Sequence, residues 1–299
     1  LKSQHCVLRK RKTRFVELFR TTPTNTVCPN FFVLRHAAGC SFSPHCAYCY
    51  LKASFWYLDR PHVFTNVTMR LDDVRRWIQR DALESYILNM GNLSDSLVFE
   101  SVRPILPRLI EVFREEAERP GRPHSLLLVT KGGRRDCQSL LKLPACRNVM
   151  VSFSVNNPDA ARQYEQGAAP VPDRLDAARR LKASGWRIRI RIDPIIAGYD
   201  YDWISDHVRK LAPERVTLGT LRAEASLPRY VAKDLFTALV KPRSGKGLAR
   251  YPIKKRLALY RRALKHLRPV CPVGLCEETP DVWKALRLNA DAKPCNCGC

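Results

Sequence analysis

From residue 31 the chain alternates short apolar runs with stretches of helical period, and this alternation limits the fold more than any other feature. Runs at 31–34, 86–90, 125–130, 149–154, 187–193 and 215–219 predict strands. The segments 71–82, 103–118, 137–143, 173–184 and 203–211 predict helices, and a long basic helix follows at 252–267. Pro104 and Pro107 fall in the first turn of their helix, where a missing N–H costs little. Gly185 is a helix stop. Strands joined through helices pair in parallel, because the crossover returns the chain to the same end of the sheet. Five or six such units in roughly 200 residues predict an α/β fold, a partial (β/α)6 TIM-like barrel. Residues 1–30 read as a basic, irregular arm, 31–225 as the barrel core, and 226–299 as a basic helical extension bearing cysteines. Ligands in such folds bind at the carboxyl ends of the strands.

The first run leads into Gly39-Cys40-Ser41-Phe42-Ser43-Pro44-His45-Cys46-Ala47-Tyr48-Cys49, a C-x5-C-x2-C spacing with an aromatic residue before the last cysteine. Three thiolates on a tight loop can hold three irons of a [4Fe–4S] cluster and leave the fourth open to a small molecule. Zinc with His45 as fourth ligand is the alternative, and unliganded thiols the plainest one. The place of the loop after the first strand of an α/β unit favours iron–sulfur over a zinc knuckle. The chain holds 12 cysteines. No signal-peptide pattern opens it and no apolar run reaches membrane-spanning length, so it is expected in the cytoplasm with its thiols committed to metal rather than disulfides. Cys6, Cys28, Cys137 and Cys146 are isolated and read as small buried hydrophobes.

The triplet followed by Tyr50-Leu51 and Phe64-Thr65-Asn66 resembles the radical S-adenosylmethionine (SAM) enzymes, and more narrowly the spore photoproduct lyase family. Further motifs agree in order: Gly91-Asn92-Leu93-Ser94-Asp95-Ser96, Thr130-Lys131, Ser152-Phe153-Ser154-Val155-Asn156, Tyr164-Glu165, Arg174-Leu175, Asp193-Pro194-Ile195 and Gly219-Thr220-Leu221-Arg222. The resemblance implies that Cys40, Cys46 and Cys49 ligate the cluster. It implies that SAM chelates the open iron and is cleaved to methionine and a 5′-deoxyadenosyl radical, with a reductant such as flavodoxin or ferredoxin. Tyr48 would pack near the adenine, Gly91 and Asn92 would meet the SAM amino group, and Lys131, Ser154 and Asn156 would hold its carboxylate and ribose. Two departures stand out. The first bight holds five residues where the family usually has three, and Asn92 occupies the position of the hydrogen-donor cysteine of spore photoproduct lyases. An amide does not deliver a hydrogen atom to a carbon radical as a thiol does.

By residue type alone, plainer roles exist. Gly91-Asn92 suits a turn, Lys131 a solvated charge, Ser154 and Asn156 helix caps, Arg174 with Glu165 a structural ion pair, and Asp193-Pro194 a turn. At the C-terminus, Cys295-Asn296-Cys297-Gly298-Cys299 is too tight for three thiolates to share one metal without a distant partner. Cys276, with Cys271 as a further candidate, is that partner in a second iron–sulfur or zinc site on Cys276, Cys295 and Cys297; the bland alternative is a frayed tail of reactive thiols.

Fifty-two Lys and Arg against 28 Asp and Glu give a net charge of +24. Such a surface attracts polyanions, since each neutralised phosphate releases counterions. Arg187, Arg189 and Arg191 alternate on one strand face, and Lys254, Lys255, Arg256, Arg261 and Arg262 charge the last long helix. Trp56, Trp203, Tyr251 and Tyr260 are candidate base-stacking rings. The expectation is a radical SAM enzyme abstracting a hydrogen atom from nucleic acid, DNA favoured over RNA, akin to a DNA-repair lyase. The alternatives are an RNA or peptide substrate, a non-catalytic zinc-bearing nucleic-acid-binding protein, or an iron–sulfur sensor that binds DNA.

Overall fold

Each apolar run becomes a strand and each periodic stretch a helix. The computed structural model describes residues 6–19, 22–28, 30–231, 233–242, 245–292 and 298. In chain order the elements are β1 (Val7–Arg9), β2 (Val16–Phe19), β3 (Phe31–Leu34), β4 (Ala37–Ala38), α1 (Leu51–Ser54), β5 (His62–Phe64), α2 (Val67–Ile78) and β6 (Ile87–Asn89). There follow α3 (Leu106–Val112), β7 (Ser125–Thr130), α4 (Gln138–Leu141), β8 (Val149–Val155), α5 (Pro158–Tyr164), α6 (Val171–Ala183) and β9 (Arg187–Ile195). The last are α7 (Asp202–Leu211), β10 (Arg215–Thr220), β11 (Arg222–Ala223), β12 (Ala249–Arg250), α8 (Ile253–Leu267), β13 (Val273–Leu275) and α9 (Pro280–Ala285).

Eight strands form one sheet in the order β13-β10-β9-β8-β7-β6-β3-β2. All its pairings are parallel except β2 on β3. Two of these findings correct the sequence reading. The stretch expected to be an irregular arm supplies β2 to the sheet and β1, which pairs with β5. Lys10, Arg11, Lys12 and Arg14 sit in the connection between those strands, where the Arg11 N–H and carbonyl bond the Asn66 side chain at 3.0 and 2.8 Å. The 103–118 helix is also interrupted, ending as α3 at Val112 before a π-helical turn over Phe113–Ala117. The glycine stop is as expected: α6 ends at Ala183 and Gly185 takes φ +86°. Of the isolated cysteines, Cys6, Cys137 and Cys146 are buried as expected, whereas Cys28 is only half-buried.

Successive side chains of a strand point to opposite faces. Phe32, Leu34, Leu126, Leu128, Val151 and Phe153 face a core shared with α2, α3, α6, α7 and α8. Phe31, Val33, Ile87, Leu127 and Met150 face the other way and form a small second cluster. Helices therefore cover one face. On the opposite face the apolar floor gives way to buried Ser152, Ser154, Arg189 and Thr217. Strand β8 is buried at every position, which is why its run is apolar with little alternation. Among the described residues no helix is long and apolar enough to cross a membrane.

Candidate functional site

Most of the polar motifs converge because they follow parallel strands of the large sheet at the same end, while the cysteine loop leaves β4, which pairs antiparallel with β5. The cysteine loop follows β4, Gly91-Asn92 follows β6, Lys131 follows β7, Asn156 follows β8, Arg222 follows β10 and Cys276 follows β13. The loop leaves β4 through Gly39, at φ +89°, whose N–H donates to the Leu93 carbonyl at 2.9 Å. It is fixed again where the Ala47 N–H donates to the Tyr164 carbonyl at 2.7 Å. Gly167 lies against its middle, so closely that a Cβ there would stand 2.3 Å from the Pro44 oxygen. Exposed His45 turns to its own loop, its Nε2 2.8 Å from the Cys40 carbonyl oxygen.

Burial holds the thiols of Cys40 and Cys49 above their ordinary range and pushes Cys46 up to about 12. Cys46 and Cys49 both push the Cys40 thiol up, and Cys49 pushes up Cys46, so the three share one electrostatic neighbourhood. Lys131 opposes this effect at Cys46 and Cys49. Yet among the described residues no group of three or more His, Cys, Asp or Glu side chains is gathered tightly enough to hold a single metal ion. Tetrahedral zinc needs four donors about 2.0–2.3 Å from one centre, which this trio with His45 turned away does not offer. Three thiols on one loop, Cys46 buried and Cys40 and Cys49 half-buried, are the donor chemistry that an iron–sulfur group takes.

Beside the loop lies a lattice centred on Glu165, a buried carboxylate on the residue after α5. Its Oε1 accepts from the Tyr48 hydroxyl, from Asn156 Nδ2 at 3.0 Å and from Lys131 Nζ at 3.4 Å. Its Oε2 pairs with Arg174 at 2.5 Å. Burial pushes the Glu165 carboxyl up, but Lys131 and Arg174 outweigh it and hold the group down at about 2. Arg174 also donates to the Ser154 carbonyl at 3.0 Å, and Asn156 Oδ1 accepts from the Tyr201 hydroxyl at 2.7 Å. Lys131 Nζ stands 5.6 Å from the Tyr48 ring centre. Four expected site residues, Tyr48, Lys131, Ser154 and Asn156, thus meet around Glu165. The helix cap is Asn157 instead, whose Oδ1 accepts from the Asp159 and Ala160 N–H groups. Asp95 completes the wall: its Oδ1 accepts from the Thr130 hydroxyl at 2.9 Å and its Oδ2 from the Lys131 N–H at 2.7 Å. Neither Glu165 nor Asp95 stood out in the sequence as a hub, although both lie inside the ordered motifs.

Gly91 is fixed by space rather than by backbone angle. Its N–H donates to Asn89 Oδ1 at 2.8 Å, and a Cβ would stand 2.4 Å from Val129 Cβ and 3.0 Å from the Val129 oxygen. Gly91→Ala is expected to lower stability by about 1–3 kcal/mol through overpacking, read as a depressed Tm. Next to it, the Asn92 carbonyl accepts from the Tyr50 hydroxyl, while its Oδ1 is buried with no hydrogen-bond partner among the described residues. A buried acceptor without a donor is costly, and an ammonium group is the kind of donor that would satisfy it.

Across the mouth, Asp193 receives Arg191 at 2.5 Å and Arg222 at 2.7 Å. Burial raises its carboxyl, but the two guanidinium groups pull it well below the usual range. Gly219 makes room, since a Cβ there would lie 2.3 Å from Asp193 Oδ1. Cys276 Sγ accepts from both Arg191 and Arg222 at 3.1 Å, and burial holds its thiol high. Cys295 and Cys297, its expected partners in a second metal site, lie outside the described residues.

The basic groove reading is corrected in part. Arg189 is buried, with Glu214 at 2.9 Å, and Glu214 also takes Arg187 at 2.6 Å. In α8, Arg256 is buried on Glu278 and Arg262 pairs with Asp200 and Asp202. Tyr251 and Tyr260 are buried and cannot stack on bases; the Tyr260 hydroxyl donates to Glu278 at 2.9 Å. Trp203 is partly exposed but stacks on His207, and Trp56 is open.

A family model described as "Spore photoproduct lyase" matches residues 8–262. A Bacillus subtilis (strain 168) protein named spore photoproduct lyase is 24% identical over 219 residues, covering 73% of this chain and 58% of the relative. A Clostridium acetobutylicum protein of the same name is 25% identical over 184 residues, covering 60% and 51%. The chain thus spans about half the length of these curated relatives. Among solved structures, a spore photoproduct lyase variant with bound AdoMet and dinucleoside spore photoproduct matches with a TM-score of 0.69 at 19% identity, over 90% of this chain and 81% of that one. That likeness shows a shared fold.

Proposed function

Since the chain belongs to the spore photoproduct lyase family, we propose that it is a radical SAM enzyme that abstracts a hydrogen atom from nucleic acid, with damaged or modified DNA favoured over RNA. One observation carries the reading: three thiols of a single loop, Cys46 buried and Cys40 and Cys49 half-buried, lie beside a strand-end lattice of Tyr48, Lys131, Asn156 and Glu165. Helices on one face support a (β/α)6 partial barrel with 31–225 as its core, to whose sheet the flanking segments 1–30 and 226–299 add the edge strands β2 and β13. The cytoplasm suits both the thiols and the substrate.

In this reading Cys40, Cys46 and Cys49 hold a [4Fe–4S] cluster, losing their protons as it loads. When bound, the cluster supplies the single electron that splits SAM into methionine and a 5′-deoxyadenosyl radical, the electron coming from a donor such as flavodoxin or ferredoxin. The chain's own residues bind and orient. Asn92 Oδ1 offers the unpaired acceptor for the SAM ammonium. Lys131 and Asn156 present a cation and an amide for its carboxylate and ribose, with Ser154 beside them, and Glu165 holds both in place. Tyr48 presents a ring against which adenine packs, its hydroxyl engaged by Glu165. Asn92 is no hydrogen-atom donor, so a thiol-donating route at that position is closed to this chain.

The test is product analysis. Air-free reconstituted protein with dithionite and SAM is expected to release 5′-deoxyadenosine, and more of it with DNA present. No 5′-deoxyadenosine under either condition would overturn the enzymatic reading.

A further inference from the structure

Three large aromatic rings lie open beside the cysteine loop. Trp56 is 65% exposed, Tyr57 62% and Tyr230 39%. By contrast Trp77, Trp186 and Trp283 are at most 2% exposed, and the other exposed indole, Trp203 at 42%, is stacked on His207. The rings are ordered against one another. Trp56 and Tyr230 lie nearly parallel, with an interplanar angle of 22° and centres 6.4 Å apart, and Tyr57 stands edge-on to Trp56 at 6.0 Å. They come from two segments, the turn after α1 and the turn after Leu227–Arg229.

The rings rest on a firm base that is continuous with the site. Ala53 of α1 and Val231 pack on a satellite core of Leu221, Ala223, Leu227, Phe236 and Tyr251, and Tyr48 packs on the same core. Tyr50, one residue before α1, is 40% exposed and reaches Asn92. Aromatic surface therefore runs outward from the candidate SAM position. Exposed Arg60 and Arg229 flank the rings in sequence, on a chain of net charge +24.

We infer that Trp56, Tyr57 and Tyr230 form a stacking platform for unpaired bases of a nucleic-acid strand entering the site. Isolated exposed hydrophobes need no explanation, but a contiguous set of mutually ordered rings marks an interaction surface. The positive charge selects a polyanion among possible occupants. Flat aromatic faces select a polyanion that also carries π-faces, and stacking on them is tolerant of sequence. Bases inside a duplex already stack on each other, so the occupant is a single strand or a locally opened one. This rests on the nucleic-acid reading above and narrows it.

The test uses the full chain carrying Trp203→Phe, which leaves Trp56 as the one widely exposed indole among the described residues. Single-stranded oligothymidylate of about eight nucleotides is titrated in, with a duplex of equal length as comparison. The single strand is expected to quench Trp56 fluorescence and the duplex is not. Trp56→Ala and Tyr230→Ala are each expected to weaken single-strand binding about tenfold, with Trp56→Phe retaining most of it. The slope of affinity against salt should stay unchanged in these variants, because phosphate contacts are untouched, and thermal melting confirms that they fold. Binding of DNA with no quenching and no loss in the variants overturns the platform but leaves the nucleic-acid reading standing. Concentration-dependent self-association that shields Trp56 also overturns it, assigning the rings to a second copy. Failure of the unaltered chain to bind any DNA at low salt overturns both.

Discussion

Alanine at Cys40, Cys46 or Cys49 is expected to remove the iron and to cut 5′-deoxyadenosine formation to background. Each thiol is one of three from a single loop, and no other described cysteine is placed to stand in. Cys276 is across the mouth in the grip of Arg191 and Arg222, and Cys137 and Cys146 are buried in the helix-side core. Loss of even a residue that only orients a metal ligand costs about 10–100-fold in metal affinity or activity. Loss of a ligand should exceed that. Iron and sulfide content of the air-free protein measures the first effect, and chromatography of the SAM products the second. Cys146→Ala, whose thiol donates to Glu118 at 3.0 Å, serves as the comparison and should keep its iron.

Glu165→Ala is expected to lower stability by about 3–5 kcal/mol, the range for breaking a buried ion pair by removing one partner. The carboxylate is fully buried and balances Arg174, itself 1% exposed, together with Lys131. Removing it leaves two cations with no counter-charge and frees Asn156 and Tyr48 from their shared acceptor. Glu165→Gln keeps part of the hydrogen bonding and should lose less. The acid limb gives a second readout. The group ionises at about 2 in the folded chain against 4.5 when unperturbed. Its contribution to stability is therefore present above pH 4.5 and is lost as pH falls through about 2. Urea unfolding across that window should show a shallower acid loss in Glu165→Gln than in the unaltered chain.

What the sequence made legible was local. The cysteine spacing, the period of each strand and helix and the Gly185 stop depend on neighbours a few residues away, and they survive in the structure. What it hid was long-range. Glu165 meets Lys131 across 34 positions in the chain, so no periodicity reveals it as a hub. The 187–191 arginines were rightly placed on one face, but that face turns inward. Ile188, Ile190 and Ile192 claim the helix side, and the balancing Glu214 comes from the residue before β10 and Asp193 from β9 itself. Tyr260 looked like a surface ring on a basic helix, yet the apolar stripe of that helix puts it against the sheet, where its hydroxyl finds Glu278. Lys10, Arg11 and Lys12 disguised a strand pair as an arm, because the partner of β1 lies some fifty residues away at β5.

The loop thiols are expected to hold an iron–sulfur cluster with one corner open. Metal and sulfide analysis of the protein, prepared and reconstituted without air, tests it most directly. The protein should be brown, with about four irons and four sulfides per chain, reduced to none in the Cys40, Cys46 and Cys49 variants. A colourless protein holding one zinc at that loop, and no inorganic sulfide, would contradict it.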